Sequence, residues 1–251
     1  MKRSSSLIAA LAVSGVVLSG CSTEEADADT LTVFAAASLK STFTEIGELY
    51  EEQNPGSSVV FDFAGSSTLV SRLQQGADAD VFASADNANM TKAVDGGLVM
   101  GEPADFVANT LTIVTAPGNP KNIESFADLT RSELLVVTCA PQVPCGSATQ
   151  RIEESAGVDV KQVSEEASVT DVLAKVTSGQ ADAGLVYVTD AAVAGDKVTE
   201  VPFPESASAV NTYPIAVLED ATDDAASQRF VDLVLSPEGQ AVLAEAGFAQ
   251  P

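Results

Sequence analysis

Four short stretches hold most of the chemistry this sequence could perform: Ala35-Ala36-Ala37-Ser38, Ala64-Gly65-Ser66-Ser67-Thr68, Pro144-Cys145-Gly146-Ser147 and Ser168-Val169-Thr170-Asp171. Each is small, rich in hydroxyls and nearly uncharged, and each precedes or opens a helical pattern. A helix start has backbone N–H groups without intrahelical partners and behaves like roughly half a positive charge, so it favours anions. Four such starts converging would present about +2, enough to hold a tetrahedral dianion without any Lys or Arg. The plainer reading of each stretch is capping. Ser and Thr are ordinary N-caps, Ser168 with Asp171 has the form of a capping box, and Tyr187 taken alone is a core tyrosine.

Other chemistries are excluded by what is missing. There is no histidine, which removes Ser-His-Asp triads, imidazole metal sites and His-based acid–base catalysis. No Ser-x-x-Lys occurs, so a Ser-Lys nucleophile is absent too. The chain is therefore read as a non-enzyme that needs no cofactor. With 36 acidic and 12 basic residues the formal charge is −24, which argues against nucleic acid and anionic lipid headgroups as partners.

The first residues have the order of an export signal. Lys2 and Arg3 precede an apolar run from Leu7 to Leu18, too short to span a bilayer comfortably. The run ends in Leu18-Ser19-Gly20-Cys21, which resembles the lipobox of bacterial lipoproteins. That resemblance implies a signal peptide over 1–20, cleavage before Cys21 and lipidation of its thiol, with ordinary signal cleavage as the alternative. Loss of Lys2 and Arg3 makes the mature chain two charges more negative. Residues 21–30 are polar and acidic and read as a tether. The remaining cysteines, Cys139 and Cys145, lie in the Pro-containing run TCAPQVPCGS. In an exported chain so close a pair is most simply a disulfide, worth about 2 kcal/mol in the chain-entropy description. A two-thiol metal site is the alternative, with no His or further Cys to complete it.

The elements that must position these groups alternate along the body. Strands are expected at Leu31–Phe34, Ser58–Phe63, Val81–Ala83, Thr110–Thr115, Leu134–Thr138, Gly184–Val188 and Tyr213–Leu218. Helices are expected from Ser38 (stripe Leu39, Phe43, Ile46, Leu49), over Thr68–Gln75, from about Ser84, over Ser147–Ser155 and over Val169–Thr177. Two helices close the chain, the second with Ser236 as cap, Pro237 at its first position and Gly247 beyond its end. This order predicts an α/β fold of two lobes, each an open, mainly parallel sheet flanked by helices. The strands at Thr110–Thr115 and Tyr213–Leu218 are candidate crossings, giving residues 31–112 with 213–251 as one lobe and 113–212 as the other.

Five blocks carry a family resemblance. Leu31-Thr-Val-Phe-Ala-Ala-Ala-Ser-Leu39 is similar to the opening of the molybdate-binding proteins of ABC importers. Phe63-Ala-Gly-Ser-Ser-Thr-Leu69 and Gly76-Ala-Asp-Ala-Asp-Val-Phe-Ala-Ser-Ala-Asp86 resemble their second signature, while Gly184-Leu-Val-Tyr-Val-Thr-Asp-Ala191 and Tyr213-Pro-Ile-Ala-Val217 resemble later ones. The resemblance implies a type II-like periplasmic-binding-protein fold and an extracytoplasmic, lipid-anchored monomer that delivers molybdate or tungstate to an ABC transporter permease. The anion contacts it implies are the hydroxyls of Ser38, Ser66 and Tyr187 and the backbone N–H groups of Cys145 and Val169. Cys145 departs from the family, which often has alanine there, and Ser67 beside Ser66 leaves the serine register open. Donors alone favour a fully ionised oxyanion, because the O–H of protonated phosphate would lack an acceptor at a cost of about 1–3 kcal/mol. Three readings compete: a receptor for sulfate or another tetrahedral oxyanion, an exported hydrolase using Ser38 or Ser66, and a surface scaffold without a ligand.

Overall fold

The computed structural model describes residues 29–251; the signal peptide, Cys21 and nearly all of the tether lie outside the described residues. The chain forms β1 (Asp29–Ala36), α1 (Lys40–Gln53), β2 (Ser57–Ala64), α2 (Ser66–Gln74), β3 (Val81–Ala83), α3 (Asn87–Asp95) and β4 (Ala104–Asn109). It continues through β5 (Leu111–Thr115), β6 (Val136–Cys139), α4 (Pro144–Ala156), β7 (Gln162–Glu166), α5 (Val169–Thr177) and β8 (Ala183–Tyr187). The last elements are α6 (Val188–Ala194), β9 (Thr199–Val201), β10 (Asn211–Val217), α7 (Asp224–Leu235) and α8 (Pro237–Glu245).

These strands make two five-stranded sheets, ordered β2-β1-β3-β10-β4 and β7-β6-β8-β5-β9. In the first, β1 pairs parallel with β2 and β3, whereas β10 is antiparallel to β3 and β4. In the second, β6 is parallel to β7 and β8, and β5 is antiparallel to β8 and β9. One strand per sheet therefore runs against the other four, and it is the strand arriving from the other lobe. The two-lobed α/β architecture expected from the sequence is present. Although no internal sequence repeat is visible, the two sheets share one strand order.

The chain passes between the sheets twice. β4 ends at Asn109 and β5 begins at Leu111, while the return runs through a 3-10 turn, Pro204–Ala209, into β10. The two passages are neighbours, because Asn211 pairs with Asn109 in the first sheet. Apolar periodicity builds the cores on either side. Leu39, Phe43 and Ile46 are fully buried, as is Tyr50 one position past the expected Leu49, which is only half-buried. Phe43 meets Phe106 at 5.8 Å and Phe230 at 5.9 Å between ring centroids. Ser236 caps α8 by accepting from the Gly239 N–H at 3.2 Å, and Gly247 takes φ 95°, as expected for a glycine just past a helix.

Several helix starts differ from expectation. A 3-10 turn, Ala37–Leu39, precedes α1, so Ser38 sits inside a turn ahead of the helix. α2 starts at Ser66 and α4 at Pro144, two and three residues early. Pro144 suits the first helical position because its fixed φ is already helical and its missing N–H would have no partner there. The expected strand through Val188 stops at Tyr187, where α6 begins.

Candidate binding site

The starts of α2, α4 and α5, and the turn before α1, meet around one small cavity. The first lobe contributes Ala36, Ala37, Ser38, Gly65, Ser66 and Ala85 to its wall; the second contributes Val143, Pro144, Cys145, Val169 and Tyr187. All five expected site residues are thus brought together, and Ser67 is not part of the wall. Ala37 and Gly65 fall within the small, hydroxyl-rich stretches, whereas Ala85 carries no functional side chain and only its place just past β3 could have marked it. Larger surface clefts exist, and one of about 390 Å³ between α1, α5 and α6 shares only Ser38 of the five.

Capping, the plainer reading of the serines, applies to only one of them. Ser168 caps α5, accepting from the Asp171 N–H at 3.2 Å and donating to its carboxylate at 2.7 Å. At the other three starts the capping positions are Ala36, Gly65 and Val143, and no side chain caps them. Ser38 and Ser66 lie within the first turn instead. Their hydroxyls and the neighbouring N–H groups are left to face the cavity, an arrangement that suits an anion.

Hydrogen bonding behind the wall makes the Ser66 hydroxyl a donor. The Ser66 oxygen accepts the Ala85 backbone N–H at 2.9 Å, so its proton is free for a guest. Ser38 Oγ lies 3.1 Å from the Tyr213 hydroxyl. Burial pushes both the Tyr187 and Tyr213 hydroxyls well above the ordinary tyrosine range, so both keep their protons at any physiological pH. In the sequence Tyr213 opens a strand and one of the family-like blocks, and its role behind Ser38 has no local signature.

The wall contains no charged side chain, and among the described residues no group of His, Cys, Asp or Glu could hold a metal ion. Two carboxyls lie further back. Asp86 caps α3, accepting from the Asn89 N–H at 2.8 Å, and buried Asp190 accepts the Tyr187 N–H at 3.1 Å. The cavity leaves the centre of a water-sized sphere about 10 Å³.

Cys139 and Cys145 are joined by a disulfide, with their Cα atoms 5.6 Å apart. The bond ties the end of β6 to the first turn of α4, so the Cys145 backbone is held from both sides. Gly146 completes this tight turn, since a Cβ there would lie 2.0 Å from the Ala140 carbonyl oxygen.

Comparison with known proteins places these features in context. Residues 31–249 match the profile of the bacterial extracellular solute-binding proteins. Over 255 residues the chain is 52% identical to the molybdate-binding protein ModA of Mycobacterium tuberculosis, covering 99% of this chain and 98% of that one. Among solved structures, the periplasmic molybdate-binding protein of Azotobacter vinelandii superposes with a TM-score of 0.75 at 21% identity, over 88% of this chain and 99% of that one. The sulfate-binding protein SubI of Mycobacterium tuberculosis does so with a TM-score of 0.76 at 20% identity, covering 88% and 87%. At such identities these superpositions establish the fold alone.

Proposed function

The chain belongs to the bacterial extracellular solute-binding protein family, and from that premise we propose that it captures molybdate, and tungstate with it, for delivery to an ABC-type permease. The observation that carries this reading is the uncharged cavity between the lobes at which the uncapped starts of α2 and α4 and the uncapped 3-10 turn before α1 meet the hydroxyls of Ser38, Ser66 and Tyr187. The backbone N–H groups of Cys145 and Val169 complete the proposed set. The mycobacterial relative, named a molybdate-binding protein and matched end to end, supports the choice of anion.

Capture works through desolvation. Contacts between the lobes close the cavity: Asn89 Nδ2 donates to the Gln142 carbonyl at 3.4 Å, and Gly65 packs against Ala167. Out of water, dipoles act on the dianion through a lower effective dielectric and so hold it more strongly. We place the crossings between lobes at Thr110 and just before Asn211. Opening about them would release the ion to the permease.

With donors on every side, the site disfavours an anion that brings its own proton, so phosphate is bound weakly. Sulfate carries the same charge and is rejected only by size. For anchoring, the Leu18-Ser19-Gly20-Cys21 run supports lipidation at Cys21 of a monomeric receptor outside the cell membrane.

One calorimetric experiment tests the function. Wild-type protein should bind molybdate and tungstate tightly, sulfate more weakly and phosphate least. In Ser38→Ala/Ser66→Ala, each lost donor costs about 1–3 kcal/mol, so molybdate affinity should fall at least about thirtyfold. Undiminished binding by the double variant would reject the site, and preference for sulfate would reject the ligand.

A further inference from the structure

Behind Tyr187 a second layer of polar groups spans the two lobes. Asn211 stands at the first position of β10, where the chain re-enters the first lobe, and is 2% exposed. Its Nδ2 approaches three oxygens: the Ala85 carbonyl at 3.0 Å, the Pro144 carbonyl at 3.2 Å and the Tyr187 hydroxyl at 2.7 Å. Its Oδ1 accepts from Arg151 Nη2 at 2.5 Å.

This set of partners fixes which end of the amide points where. Carbonyl oxygens only accept and a guanidinium only donates, so the NH2 must face Ala85 and Pro144 and the oxygen must face Arg151. A flipped amide would set oxygen against two carbonyls and NH2 against a cation. The consequence falls on Tyr187. The amide has two N–H groups for three oxygens, and the shortest contact, 2.7 Å to the Tyr187 hydroxyl, takes one of them; the tyrosine oxygen therefore accepts, and its single proton points elsewhere. Two acceptors are within its reach, the Tyr213 hydroxyl and an ion in the cavity.

From this geometry we infer that Asn211, clamped by Arg151, is a positioning residue that makes Tyr187 a donor and thereby sets the site's preference for anions without a proton. The inference rests on the proposed reading of the cavity as an oxyanion site with Tyr187 in contact. A hydroxyl free to rotate could accept as well as donate, and would satisfy the O–H of hydrogen phosphate. One that already accepts from Asn211 offers the cavity its proton instead. Arg151 has a further part. Among the described residues no carboxylate pairs with it, and its other contact is Nη1 donating to Ser147 Oγ at 2.9 Å. Its charge therefore polarises the amide toward Tyr187, giving an uncharged wall a cation one residue behind it.

The test measures discrimination rather than affinity alone. Molybdate affinity, and displacement of molybdate by inorganic phosphate, are measured for wild type, Asn211→Ala, Arg151→Met and Arg151→Lys. Asn211→Ala should lose about tenfold or more in molybdate affinity while phosphate competes no worse, so the ratio between the two shrinks. Arg151→Met should move the ratio the same way by about threefold, with partial recovery in Arg151→Lys, whose ammonium also donates. Arg151 is largely exposed, so its variants carry the test should Asn211→Ala fail to fold. An equal loss for both anions, or no change in the ratio, would overturn the inference. Ser38→Ala/Ser66→Ala is the control. If that variant still binds molybdate, the site itself is misplaced; if it does not, and the ratio is unmoved at 211 and 151, only the positioning role falls.

Discussion

Asp190 sits directly behind the tyrosine that closes the cavity, and desolvation pushes its carboxyl up to about 7, against the lowering effect of the Tyr187 N–H. The unfolded chain would lose this proton near the ordinary value of 3.8. From there to about 7 the folded protein holds a proton that the unfolded one has released, so this group's contribution to stability falls as pH rises through that window and is flat above it. Asn at this position keeps an oxygen for the Tyr187 N–H and never ionises. Urea unfolding should therefore find Asp190→Asn gaining on wild type between pH 5 and pH 8, by on the order of a few kcal/mol. A difference that did not vary with pH would mean the carboxyl titrates normally. At this scale the sequence was partly legible. Ser38 and Ser66 stand out because small, hydroxyl-rich stretches before helices are visible locally. Asn211 and Arg151 do not, because each acts on a partner across the crossing between lobes, and no spacing along the chain encodes that meeting.

Among the elements, the contact between the α2 start and the segment before α5 governs closure. Gly65 has φ −61° and ψ 137°, a conformation any residue adopts, so glycine is not required by the backbone. It is required by its neighbour, since a Cβ would lie 2.2 Å from the Ala167 carbonyl oxygen in the opposite lobe. Gly65→Ala should leave the ligand-free melting temperature nearly unchanged and weaken molybdate binding about tenfold or more by propping the lobes apart. Wild-type affinity in calorimetry would show that the lobes need not approach this closely. The elements legible beforehand were those with a buried face. Phe43 and Ile46 mark α1, and the apolar run Ala183–Tyr187 marks β8, all of it buried. β7, with the sequence QVSEE, and the three-residue β9 were missed, as was β4. All three are edge strands, half of whose backbone pairing is absent, and charged or short sequences suit that place. α6 was missed because Tyr187 leads straight from strand to helix with no Gly or Pro between.

Taken whole, the molecule repels its own proposed cargo. A formal charge of −24 surrounds a pocket whose attraction comes from dipoles that fade within a few ångströms, so approach and capture are governed by opposite terms. Added salt shortens the Debye length from about 30 Å at 0.01 M to about 8 Å at 0.15 M, which should relieve the repulsion and leave the buried contacts alone. Stopped-flow association of molybdate should therefore speed up over that range, with dissociation little altered. Slower association with salt would point to a basic funnel that the charge total conceals. The strand order has a consequence for how such a chain is made. β10 lies between β3 and β4, so the first sheet stays open until residue 217 has been synthesised, while the second can close on residues 111–201 alone. The half that is born first is finished last.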